Sequence, residues 1–414
     1  MSSLVIEHLD ELWPVAGPAP RAGRRQGDHA PITDGAIACD GATIVAVGTT
    51  AELRRAGHAE AAARVIDGRG RSLVPGFVDG HTHVVYAGDR RDELRRRLAG
   101  ATYADIAAAG GGILSTVRAT RAASEQQLQT ETAMRLADML ASGTTTCEAK
   151  TGYGLDTASE LKMLRAIAAL AGSQPMELVA TFLGAHEVPP EYRGRQREYV
   201  DLVVNEMIPA AAPLAEWCDV FCDRGFFTPE ESIAVLEAGA RAGLKPRIHA
   251  DELAASGGPT VAARVSARSA DHLVQVTADG IAELKRAGTV ATLLPGAAFF
   301  LKLGRYAPAR DLIAAGVPVA LATDVNPGGG LSPSIPFVMS LSTFGMGMTF
   351  EEALAASTIN GAYSLDRHDR VGSFEPGKQF DAVLIDGPAV NLLRTNAQPI
   401  AAVFKKGIEV HARH

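Results

Sequence analysis

Gly76-Phe77-Val78-Asp79-Gly80-His81-Thr82-His83 decides how this chain is read. It ends an apolar run that starts at Ser72. Along an extended strand side chains alternate faces, so His81 and His83 point the same way and Thr82 points opposite. Two neutral imidazoles side by side, on a backbone kept slim by Gly80, make half of a metal site. The competing reading is a turn with two exposed histidines. The rest of the chain has to supply the other half.

The chain has 414 residues and a hydrophobic fraction of 47%, enough for a large core. No run approaches the roughly 20 apolar residues of a membrane span, and Met1–Glu7 has no basic region followed by an apolar block, so neither a membrane protein nor a signal peptide is expected. A formal net charge of −7 argues against a nucleic-acid surface. Basic clusters such as Arg95-Arg96-Arg97 read as solvated helix faces. The cysteines Cys39, Cys147, Cys218 and Cys222 are few and scattered, which predicts no disulfide framework and a cytoplasmic setting. Cys218 and Cys222 share one strand face. They could pair on zinc, but small buried hydrophobes are the expectation.

Both ends of the chain read as strands. Gly35–Cys39 and Thr43–Val47 flank Asp40-Gly41, a hairpin signal. Asp381–Ile385 and Ala401–Gly407 are strand-like at the other end. The expected organisation is a small β-sandwich-like domain from residues 1–70 plus 375–414, with a catalytic domain over 71–374. Within the latter, apolar runs end near His83, Glu148, His186, Cys222, His249, His272, Pro295 and Thr323. Helical stretches such as Glu131–Ser142, Glu160–Ala171 and Pro229–Ala242 lie between them. Eight such repeats match an α/β (β/α)8 barrel, although a doubly wound sheet also alternates. The polar residues decide: His81, His83, His186, His249, His272 and Asp324 all close strands. In a barrel those ends share one mouth, where active sites are built.

These residues resemble the amidohydrolase superfamily: His-x-His on strand one, a His ending strands five and six, an Asp ending strand eight, and a β domain split between the termini. Within it the chain is similar to the imidazolonepropionase family. The similarity is carried by Pro75–His83, Leu98–Tyr103, Ala109–Ile113 with Thr116–Arg121, Lys150–Leu155, Thr181–His186 with Val188–Pro190, Ile248–Glu252, Ser269–Leu273 and Ala322–Gly328. One departure stands out. Where the family usually has Ser or Thr after Asn326-Pro327-Gly328, this chain has Gly329 and Gly330. A substrate hydrogen bond there is absent, or is supplied by backbone or by Ser332.

The resemblance implies that His81, His83, His249 and Asp324 hold one divalent metal, zinc by default and iron as the alternative. Two-metal relatives place a carboxylated lysine or a glutamate at the end of strand four. Here that strand ends Phe221-Cys222-Asp223-Arg224, so one metal is expected. The implied reaction is hydrolysis of the cyclic amide of 4-imidazolone-5-propanoate to N-formimidoyl-L-glutamate in histidine degradation, by a metal-activated water. His272, Glu252 and Asp324 are the candidate catalytic residues. His272 is a general base or oxyanion partner, Asp324 is a second candidate base, and Glu252 is a candidate donor to the leaving nitrogen. Arg90, rather than its neighbour Arg91, is implied to grip the propanoate carboxylate. Tyr153, His186, Glu252, Asn326, Gly328 and Gly329 complete the implied substrate contacts.

The expected partner is a small molecule, and a homodimer is compatible with the resemblance. Two rivals exist. A heterocycle deaminase of the guanine type would share the ligands and differ in the pocket. A non-catalytic barrel scaffold would lose ligands, and every ligand position here is filled. Gly110-Gly111-Gly112 lacks the Lys-Ser/Thr of a phosphate loop and reads as a flexible loop near the mouth.

Overall fold

The apolar run from Ser72 to Val78 forms two strands, which correct the reading of it as one. Arg71–Pro75 pairs antiparallel with Ala382–Asp386, and Phe77–Asp79 pairs parallel with Thr144–Lys150. The switch falls at Gly76, where a Cβ would sit 2.4 Å from Thr145 Oγ1. Only glycine fits so close an approach. Arg71–Pro75 thus joins the sheet that holds Ala382–Asp386, and Phe77–Asp79 joins the parallel sheet. This computed structural model describes residues 3–101, 110–394 and 399–413. Thr102, Tyr103 and Ala109, which end or begin segments quoted above, lie outside the described residues.

The chain ends build two facing sheets. Leu4–Leu9, Gly35–Asp40, Thr43–Thr49 and Arg64–Asp67 form one; Glu11–Leu12, Arg71–Pro75, Ala382–Asp386, Ile400–Lys405 and Ile408–Ala412 form the other. The hairpin turns at Asp40-Gly41, with Gly41 at φ 54°, a conformation glycine adopts without penalty. Leu4, Ile6 and Ile37 from one sheet pack with Leu73, Leu384 and Phe404 from the other. Val5 points the opposite way, against Leu53 of helix Thr50–Arg55. The period-two alternation thus gives each face its own cover.

Eight parallel strands make the barrel, in the spatial order of the chain: Phe77–Asp79, Thr144–Lys150, Glu177–Ala185, Trp217–Cys222, Ile248–Ala250, Ser269–His272, Val290–Leu293 and Val319–Leu321. Lys245–Pro246 adds a short bridge to the fourth. The eighth meets the first through Thr323, whose amide and hydroxyl donate to Asp79 at 3.0 and 2.6 Å, and through the Asp324 amide, which donates to the His81 carbonyl at 3.0 Å. Closure therefore runs through the residues that bear the site.

The helices between strands start on polar caps. Ser124 accepts from Gln127 N, Asp156 from Ser159 N, and Thr228 forms a capping box with Glu231. Cys218 and Cys222 both face helix Pro229–Arg241. A Cβ on Gly239 would touch Cys218 Sγ at 2.9 Å. They lie behind the strand, away from the mouth, as packing groups. No helix among the described residues is long and apolar enough to cross a membrane.

Candidate active site

The ends of the barrel strands bring His81, His83, His249, His272 and Asp324 into one buried cluster. His83 Nε2 lies 3.3 Å from His249 Nε2, and Asp324 Oδ1 lies 3.6 Å from both His81 Nε2 and His83 Nε2. Ligands about 2.1 Å from a tetrahedral zinc are separated by about 3.4 Å. These gaps are too long for good hydrogen bonds to Asp324 and suit a shared cation. His81 Nε2 and Asp324 Oδ1 are buried without a hydrogen-bond partner, a costly state unless something polar sits between them. Two three-residue groups can hold an ion, His81–His83–His249 and His81–His272–Asp324. They share His81, so His272, read above as lying off the ligand set, stands within ligand range as well.

The charge states fit. Burial first, then neighbouring cations, pushes His81 and His83 well below the usual imidazole range. Neutral rings keep a lone pair to offer. His81 Nδ1 donates to Asp271 Oδ2 at 2.6 Å, and His249 Nδ1 lies 3.1 Å from Asp219 Oδ2. The acceptor behind His81 fixes the tautomer that turns its Nε2 forward, and Asp219 stands on the corresponding side of His249. Asp324 sits at φ 53° and His272 at φ 75°. Two non-glycine residues in the left-handed region mark backbone bent to aim these side chains.

A cavity of ≈ 310 Å³ opens over the cluster, lined among others by Arg90, Tyr153, His186, Glu252, Asn326, Gly328 and Gly329. Arg90 Nε donates to Thr116 Oγ1 at 2.8 Å, while its Nη2 is buried without a partner. Arg91 is 82% exposed and pairs with Asp89. Tyr153 packs at 5.8 Å from the His83 ring and 5.3 Å from His186. His186 stacks on His83 at 4.8 Å, and its Nδ1 donates to the Gly152 carbonyl at 2.9 Å. Burial lowers His186 to about 3. Its Nε2 is therefore an acceptor, better suited to an N–H than to a carboxylate.

Asp251, at φ 50°, receives the amides of Ser256 and Gly258 and turns Glu252 into the cavity. Burial pushes Glu252 well above the usual carboxylate range, and its Oε1 lies 3.6 Å from His272 Nδ1. Asn326 lines the cavity, but its side chain is largely spent on backbone: Oδ1 accepts from Gly328 N and Gly329 N, and Nδ2 donates to the Asp324 carbonyl. Ser332 does not line this cavity; its hydroxyl accepts from Ser334 N. It does not replace the hydroxyl that Gly329 lacks. Gly111 and Gly112 line a neighbouring cleft, and Gly112 N donates at 2.9 Å to Glu93, which lines the main cavity.

The imidazolonepropionase of Geobacillus kaustophilus (strain HTA426) is 48% identical over 393 residues, 94% of this chain and 92% of the relative. That of Shouchella clausii (strain KSM-K16) is 46% identical over 415 residues, 98% of this chain and 92% of the relative. The chain belongs to the imidazolonepropionase family. The amidohydrolase family profile also matches residues 226–411, so this imidazolonepropionase-family chain is a metal-dependent hydrolase. A zinc-bound adenosine deaminase from Xanthomonas campestris shares the fold at 20% identity, with a TM-score of 0.68 over 99% of this chain and 92% of that one.

Reading the sequence missed the charges beneath the imidazoles: Glu148, Lys150, Asp219, Arg247 and Asp271, all buried. The available signal was a lone charge inside an apolar strand, as in Trp217-Cys218-Asp219-Val220-Phe221-Cys222. Arg97 was also missed. Read as part of a solvated face, it lines the cavity and donates to the carbonyls of Phe300 and Gly328.

Proposed function

We propose that this chain hydrolyses 4-imidazolone-5-propanoate to N-formimidoyl-L-glutamate at the cavity over His81, His83, His249 and Asp324. The observation that carries the reading is Arg90, a buried guanidinium with an unpartnered Nη2 in the same cavity as a metal-capable cluster. A carboxylate-bearing substrate satisfies one end, and its reacting ring reaches the other.

His81, His83, His249 and Asp324 would hold a single divalent cation, zinc in our reading and iron as the alternative, since imidazole suits both. When bound, it supplies a water of lowered pKa and polarises the amide carbonyl. Asp324 lines the cavity beside two ligand imidazoles, which places its carboxylate to take the proton of the attacking water. His272, buried with neither ring nitrogen hydrogen-bonded, can turn an N–H on the carbonyl oxygen as charge builds there. Glu252, kept protonated by burial, is the donor for the leaving ring nitrogen. His186 Nε2 accepts a ring N–H and Tyr153 walls the ring. Arg90 holds the propanoate, and the Gly328–Gly329 loop, braced by Asn326, closes over it.

The four free cysteines support a reducing, cytoplasmic setting. The exposed Phe299 and Phe344 support a homodimer, which light scattering checks. The purified protein should remove the ultraviolet absorbance of the imidazolone and carry bound zinc. Ammonia release from guanine, with the imidazolone left untouched, would turn the reading toward the deaminase.

A further inference from the structure

Five charged side chains lie under the imidazoles with no exposed surface: Glu148 and Lys150 on the second barrel strand, Asp219 on the fourth, Arg247 before the fifth, and Asp271 on the sixth. None of them lines the cavity. Lys150 Nζ lies 2.5 Å from Asp219 Oδ2, 2.9 Å from Glu148 and 3.9 Å from Asp271 Oδ2. Arg247 lies 3.0 Å from Glu148 and 3.3 Å from Asp271, and donates to the Gly80 carbonyl at 2.6 Å. The two outer carboxylates are the ones behind His81 and His249.

Buried charge without a partner is unstable. Here each of the five has an opposite charge within 3.3 Å.

We propose that Lys150 is a positioning residue for the metal centre: its ammonium pairs Asp219 and sits beside Asp271, so that both stay in place behind His249 and His81. This rests on the reading of His81, His83, His249 and Asp324 as ligands. Burial alone would strip the proton from Lys150, but Asp219 and Glu148 outweigh it, and its pKa is raised. Lys150 touches neither cavity nor ligand nitrogen, so its effect passes through the carboxylates.

The test is zinc affinity, measured on apo-protein by competition with a fluorescent chelator, beside the melting temperature of the apo-protein. Loss of an outer group behind a ligand costs roughly 10- to 100-fold in metal affinity. Lys150→Met and Asp271→Ala should each weaken zinc by that factor. The double variant Lys150→Met/Asp219→Asn removes one charge of each sign and keeps an acceptor for His249. It should bind zinc within roughly threefold of wild type. A purely structural lysine would lower the apo melting temperature and leave zinc affinity unmoved, which overturns the proposal. So would a double variant as weak as Lys150→Met. Should Lys150→Met not fold, the double variant and Asp271→Ala decide: wild-type zinc affinity in Asp271→Ala, or zinc lost in the double, overturns it. Failure of the wild-type protein to bind zinc at all sinks the ligand reading instead.

Discussion

Arg90 and Gly328 press together: a Cβ on Gly328 would lie 2.2 Å from Arg90 Nη1. The loop after the eighth strand must therefore be bare at this point for the guanidinium to lie as it does. Gly328→Ala should push Arg90 off the substrate carboxylate. The expected result in steady-state kinetics is a KM raised about tenfold, the scale of one weakened charge-assisted bond, with a smaller change in kcat.

Arg90 and Arg91 are neighbours with opposite fates, and their variants should separate. Arg90→Ala removes a buried cation with an unsatisfied donor. A charge-assisted hydrogen bond is worth about 1.5–3 kcal/mol, so KM should rise roughly 10- to 100-fold. Arg91→Ala breaks an exposed pair with Asp89, which contributes little. Its kinetics and melting temperature should match wild type. Equal KM values for the two variants would contradict the role given to Arg90.

Removing the metal should cost stability as well as activity. His81 Nε2 and Asp324 Oδ1 are buried without partners in the bare protein. A ligand present at a thousandfold excess over its dissociation constant stabilises the folded state by about 4 kcal/mol. Dialysis against a chelator should therefore abolish turnover and lower the melting temperature by several degrees. Added zinc should restore both. Scanning calorimetry of the two forms, at one scan rate, makes the comparison.

The barrel was legible because most of the apolar runs ended in a polar residue. His186, His249 and His272 stand at strand ends in the fold as they do in the sequence, whereas His83 and Asp324 lie in loops, four and three residues past Phe77–Asp79 and Val319–Leu321. The join at Gly76 was hidden because Ser72–Pro75 and Phe77–Val78 are both apolar; only the contact with Thr145 shows why the chain must switch sheets there. Lys150 and Asp219 were passed over for a different reason. A charge inside a barrel is normally excluded by its desolvation cost, and nothing local to either residue reveals the partner 69 positions away. Asn326 lines the cavity, but its hydrogen bonds to Gly328 and Gly329 depend on a loop shape that spacing alone does not give.

His29 makes stability fall in acid. Its Nε2 donates to the Glu351 carbonyl at 2.9 Å, its Nδ1 is buried without a partner, and Trp13 packs edge-on at 5.8 Å. Burial lowers its pKa below 6.5. The unfolded chain therefore takes up a proton first as the pH drops. The stabilising contribution is complete above about pH 6.5 and declines below it, by at most about 1.4 kcal/mol per pH unit, until the folded ring also protonates. His29→Gln keeps a donor for Glu351 and cannot titrate. Between pH 7 and pH 5 its melting temperature should fall less steeply than that of wild type; parallel curves would count against the assignment.

Glu252 is the group whose loss should strike the chemical step. It is buried, pushed well above the usual carboxylate range, and faces His272 across 3.6 Å at the cavity wall. A carboxyl kept neutral there can give a proton to the departing nitrogen, a contribution typically worth about 10²–10⁴ in rate. Glu252→Gln keeps the size and a hydrogen-bond donor but has no proton to give. Substrate still meets Arg90, so KM should change little while kcat falls about a hundredfold or more. A substrate analogue carrying a better leaving nitrogen needs that proton less and should lose less rate in the variant. Equal losses for both substrates would assign Glu252 to binding, and the donor would have to be sought elsewhere along the cavity.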